Sequence, residues 1–114
     1  MSVNKDLFTK IELKSSKSYI RIYTNNVYFS AELSNVLNWD DGDKLNLYRY
    51  GDNYNLVFMP EQDGDISVSR KGCCIQLYSR KLVNFILDVS DGERKFNPVV
   101  KDNCVYINVD SHNK

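Results

Sequence analysis

The sequence has a single histidine, His112, in a polar stretch near its C-terminal end. Catalysis needs a nucleophile or base held against partners in a pocket. The chain has no interior histidine, no glycine-rich phosphate loop, no GxSxG and no paired carboxylates on one helix face. It is therefore expected not to be an enzyme and to need no cofactor. The Asp40-Asp41-Gly42-Asp43 run lacks the twelve-residue spacing and closing glutamate of a calcium loop, so it is read as a turn. Cysteine is scarce too: Cys73, Cys74 and Cys104, an odd number. With no apolar leader in MSVNKDLFTK, reduced thiols and a cytoplasmic location are expected. Cys73 and Cys74 are adjacent, and on a strand they would point to opposite faces, a poor pair for one metal. A zinc site wants about four N/S ligands, so no metal is expected. No apolar run approaches the roughly 20 residues that span a bilayer, so no membrane association is expected.

Net charge is also missing: 15 basic residues balance 15 acidic ones. A strong polyanion binder usually carries a basic excess. The balance is uneven along the chain, however. Residues 1–21 hold Lys5, Lys10, Lys14, Lys17 and Arg21 against Asp6 and Glu12, whereas residues 22–60 are net acidic. Any phosphate contact is expected to begin in the first segment.

What the sequence does have is alternation of apolar and polar residues, rich in β-branched and aromatic types, with eight tyrosines. An extra strand is expected at about residues 6–14, then strands at Tyr19–Tyr23 and Val27–Ser30 around an Asn25-Asn26 turn. Leu33, Val36 and Leu37 then switch to helical spacing, with Ser30 as a cap. Two further strands flank Gly51-Asp52-Asn53. Met59–Asp65 is the one plausible linker. After it the order recurs: strands at Ile66–Arg70 and Cys73–Tyr78, a helix marked by Val83, Ile86 and Leu87, then Phe96–Val100 and Val105–Val109. Pro98 in that third strand removes a ladder donor and suggests a sheet edge. From Leu33 to Asn53 the copies align without a gap at an offset of 50, LSNVLNWDDGDKL over VNFILDVSDGERK. One domain over 1–114 is expected, with repeat one at about 18–59, linker at about 60–65 and repeat two at about 66–110. Trp39 falls where copy two has Val89 and is read as core.

VYFSAELSNVLNWDDGDKLNL resembles the AbrB-like pattern: an apolar strand, a short helix, an acidic-glycine-acidic turn, then an alternating strand. In that family two chains interleave hairpins into one barrel. The resemblance implies a mostly β fold with two short helices, a pseudo-two-fold swapped-hairpin AbrB-like barrel formed by two β-β-α-β-β repeats in one chain. Fusion supplies each half with its partner, so a monomer is expected.

The resemblance further implies a DNA-binding transcriptional regulator. Lys14, Lys17, Arg21, Arg70, Lys71, Arg80 and Lys81 would contact duplex DNA phosphates, with Asn25 or Asn26 as base readers. The chain departs from the family at Ser30, where proline is frequent, and at Ser34, Asn35, Asn84 and Phe85, where basic helix residues are expected. Every phosphate left without a cation weakens the salt-dependent part of the affinity. The alternative is a protein-binding module on the same scaffold, using its tyrosines. An Asn-, Lys- and Tyr-rich composition looks like a low-GC genome, and a phage or mobile-element protein acting on a host factor would fit it.

Overall fold

The computed structural model describes residues 18–50 and 55–109. The alternating segments become β1 (Ile20–Ile22), β2 (Val27–Phe29), β3 (Lys44–Tyr50), β4 (Asn55–Pro60), β5 (Ile66–Lys71), β6 (Cys74–Leu77), β7 (Lys95–Phe96), β8 (Val99–Lys101) and β9 (Cys104–Asn108). The helices are α1 (Ala31–Asn35) and α2 (Arg80–Val89). The order strand, strand, helix, strand, strand thus occurs twice, with the second copy's third strand broken at Asn97-Pro98. The expected strand at 6–14 and the Gly51-Asp52-Asn53 turn lie outside the described residues.

The strands form one antiparallel sheet, ordered β7-β1-β2-β6-β5-β3-β4-β9-β8, that curls into a half-barrel. Its two ends, β7 and β8, are the pieces on either side of Pro98, where the missing N–H has no ladder to break. Equivalent strands of the two copies meet: β2 pairs with β6 and β4 with β9. First and third strands pair across copies, β1 with β7 and β5 with β3.

Period-two patterning sends Ile20, Ile22, Val27, Phe29, Leu45, Leu56, Phe58, Ile75 and Leu77 into one core together with Leu33, Val83 and Ile86 from the helices. Trp39 sits at its centre, 0 % exposed, its ring 5.4 Å from Phe29. Its Nε1–H donates to the Asn103 carbonyl at 2.9 Å. Asp102 and Asn103 both have positive φ, the geometry of a tight two-residue hairpin turn. Copy two's last hairpin therefore clamps the loop that follows copy one's helix.

Both helices start on a serine, as the caps at Ser30 and Ser79 accept from the N–H of Leu33 and Leu82. Gly42 and Gly92 both take positive φ in the turn before the third strand. The structure departs from the expected layout at three places. Val36 lies beyond the last residue of α1 and is 59 % exposed, so only Leu33 of the expected stripe is buried from the helix itself, while Leu37 is buried from the segment after it. The gapless offset of 50 holds at the glycine turns only. Matched roles drift from 49 (Ser30 and Ser79) to 50 (Gly42 and Gly92) to 51 (Leu45 and Phe96), because copy two carries one extra residue on each side of its turn. The segment read as a linker begins inside β4, where Pro60 pairs with Leu45, and only the turn to Asp65 connects the copies.

Candidate nucleic-acid interface

Charge in this fold is sorted by element. None of the nine described strands contains a carboxylate, and together they carry Arg21, Lys44, Arg49, Arg70, Lys71, Lys95 and Lys101. The acids of the described residues sit in helices and turns, so zero net charge conceals a cationic sheet.

On the outer face of β7, β1, β2, β6 and β5 the register lines up one row across the strands. Lys95 stands opposite Arg21, Arg21 opposite Tyr28, Tyr28 opposite Gln76, and Gln76 opposite Ser69. Tyr19 and Tyr23 flank Arg21 along the chain. Their rings each lie 6.2 Å from Tyr28, tilted for Tyr19 and edge-on for Tyr23. Lys95 Nζ sits 4.9 Å from the Tyr19 ring centre and the Arg21 guanidinium 6.0 Å, so cation–π contact holds both charges on this face. Gln76 joins the turn to the row, its Oε1 accepting from Asn26 Nδ2 at 2.6 Å and from the Tyr78 hydroxyl at 3.0 Å. Arg80 Nε donates to Asn25 Oδ1 at 3.0 Å, which places the start of α2 at the same end. Beside Arg21 and Lys95 a cleft of about 330 Å³ is bordered also by Tyr23, Arg94 and the acidic Glu93.

The residues singled out from sequence separate. Arg80 reaches Asn25 at the turn, whereas Arg21 lies in the middle of β1 opposite Lys95, its guanidinium over Tyr19. Lys71 is exposed at the end of β5, opposite Cys74, beyond the other end of the β2–β6 ladder. Lys81 faces a separate cleft of about 810 Å³ bordered by Tyr48, Asp65 and Phe85. Lys14 and Lys17 lie outside the described residues. Arg70 follows Ile66 and Val68 on the inward face, and its guanidinium donates to the carbonyls of Ser34 (3.0 Å), Trp39 (2.9 Å) and Leu37 (3.4 Å). It thus closes the C-terminal end of α1, where carbonyls lack helical partners and a cation is favoured. Lys95 was missed by sequence reasoning; its adjacency to Phe96 in an otherwise irregular GERKFNPVV left its face undecided.

Ser34 explains one departure from the family pattern. It is fully buried, donates to the Phe29 carbonyl at 3.3 Å and accepts from the Ile75 N–H at 3.0 Å. A basic side chain there would meet the core and not a ligand.

The thiols differ from expectation. Cys73 lies in the Gly72-Cys73 turn and not on a strand, and its sulfur is 3.6 Å from that of Cys74. Cys74 Sγ also lies 3.3 Å from the Tyr28 hydroxyl. That contact, with partial burial, pushes the Tyr28 phenol from the ordinary 10.0 up to about 12. Among the described residues no group of three or more histidine, cysteine or acidic side chains converges as a metal site, and no helix is long and apolar enough to cross a membrane.

No protein-family model, curated protein or solved structure matches this chain.

Proposed function

We propose that this chain is a nucleic-acid-binding regulator of AbrB-like type, a pseudo-dimer in one polypeptide that holds backbone phosphates on the outer face of β7, β1, β2 and β6. The fold part of this reading is supported by reciprocity. Leu45 stands opposite Ile66 as Phe96 stands opposite Ile20. The Val68 N–H donates to the Asp43 carbonyl and the Ile22 N–H to the Arg94 carbonyl, both at 2.7 Å. Each copy's third strand is thus held by the other copy's first strand, the exchange expected of interleaved hairpins.

The functional part rests on one observation: a row of cations and tyrosines on a sheet whose described strands carry no carboxylate. Such a surface attracts phosphate without a basic excess over the whole chain. Arg21, Lys95 and Arg80 hold the phosphates, with Lys71 at the far end of the ladder. Arg70 is left out, because its donors already serve α1.

The test is binding across a salt series. Log affinity should fall linearly with log salt, with a slope of about −0.7 to −0.9 per phosphate neutralised. Arg21→Gln with Lys95→Gln should flatten the slope by about 1.5. A steep slope unchanged by these substitutions would move the interface elsewhere. Absence of binding at low salt would favour the second reading, a protein partner. That reading is supported by Tyr50, 61 % exposed and edge-on to Tyr106 at 5.9 Å, beside a largely apolar cleft of about 370 Å³ with Val99.

A further inference from the structure

Resting on the phosphate-holding face of that reading, and not on the duplex that the resemblance implies, we infer that the nucleic acid this face takes is single-stranded, its bases stacking on Tyr23 and Tyr78 while Arg21, Lys95 and Arg80 hold its phosphates. Duplex DNA offers its backbone and base edges but no base faces, because its bases are already stacked on one another. Tyrosine rings add little to such a contact. An unpaired strand offers free base faces, and aromatic side chains on an antiparallel sheet are a recurrent way to bind them.

The geometry fits that use. Tyr23 and Tyr78 are 44 % and 60 % exposed, each at the end of its strand, β1 and β6, with β2 between them. Two strand spacings separate such positions by roughly 9–10 Å, which leaves room for bases to lie beside both rings. Tyr23 is braced edge-on by Tyr28 and Tyr78 by its hydrogen bond to Gln76, so both rings are held before any ligand arrives. Asn25 and Asn26 lie at the same end. Their amides are engaged by Arg80 and Gln76, which keeps the turn rigid beside the platform. Stacking tolerates any base, so binding should show little sequence preference.

The experiment uses the full chain and three fluorescein-labelled probes of equal length, a mixed-sequence single strand of DNA, the same sequence as RNA, and the DNA duplex, with anisotropy read at low salt. A single strand, DNA or RNA, should bind at least tenfold tighter than the duplex. Tyr23→Leu and Tyr78→Leu should each lower single-strand affinity about tenfold while leaving weak duplex binding unchanged. Emission from Trp39 confirms that each variant is folded. Equal or tighter duplex binding, or tyrosine variants of undiminished single-strand affinity, would overturn the inference while leaving the phosphate-binding face in place. Failure to bind any probe would overturn both.

Discussion

The Arg70 guanidinium donates to the carbonyl of Trp39 at 2.9 Å, joining the first strand of copy two to the segment that follows the helix of copy one. Its other donor goes to the Ser34 carbonyl, and its own backbone N–H to Asp41 Oδ1, both within 3.0 Å. Arg70→Met leaves helix-end carbonyls without that cation and should cost about 2 kcal/mol, in the range of hydrogen bonds to charged groups. Arg70→Lys should recover only part, since one ammonium cannot fork between carbonyls. Urea midpoints measure this. An unchanged midpoint together with reduced nucleic-acid affinity would return Arg70 to the binding surface.

Trp39 makes its own reporter, being the only tryptophan in the chain. Fully buried beside Phe29, it should emit at short wavelength and resist quenching by iodide until the protein unfolds. Trp39→Ala should destabilise by about 3–5 kcal/mol. Trp39→Phe keeps most of the volume but strands the Asn103 carbonyl, at about 1–3 kcal/mol. If Trp39→Phe proved neutral in urea melts, the hydrogen bond between the copies would carry no weight.

Sequence patterning made the element order legible because each strand buries one face, so Ile20-Arg21-Ile22 or Ile75-Gln76-Leu77 can be read residue by residue. Trp39 was legible from its place between helix and turn. Arg70 was not, although it continues the inward series of Ile66 and Val68. An arginine at an inward position looks like a break in the pattern until α1 is known to end above it. The row of Lys95, Arg21, Tyr28 and Gln76 was illegible for a different reason. It comes from four strands, and its alignment depends on pairings between residues as far apart as Arg21 and Lys95. The gapless repeat failed because copy two has one extra residue on each side of its glycine turn, the first in a stretch where α2 runs ten residues against five in α1.

Gly64 tests how closely the two copies are joined. A Cβ built there overlaps the backbone N, C and O of Leu45, which cannot move without disturbing the pairing of β3 with both β4 and β5. Gly64→Ala should therefore destabilise by about 1–3 kcal/mol as an overpacked site. By contrast Gly72→Asn, in an open turn at φ 61, should cost little, because asparagine tolerates that conformation. Thermal melts of the two variants should separate clearly. Equal melting temperatures would mean that the 61–65 turn relaxes freely.

Tyr28 provides a test by titration. Its hydroxyl is held against Cys74 Sγ, and the hydrogen bond, burial and the nearby thiol all favour the protonated phenol, which ionises only at about 12. A folded-state value above the unfolded 10.0 means that the folded protein keeps a proton the unfolded chain has lost. This stabilisation is complete below about pH 10 and is lost as pH rises toward about 12. Ultraviolet difference titration should therefore show two phenols lagging behind the rest, Tyr48, raised by its hydrogen bond to the Glu61 carboxylate, and Tyr28. Cys74→Val removes the partner of Tyr28 and should bring that phenol back toward 10, narrowing the alkaline range over which the contact stabilises the fold. If both lagging phenols persist in Cys74→Val, the Tyr28 shift belongs to burial, and the thiol contact is not its cause.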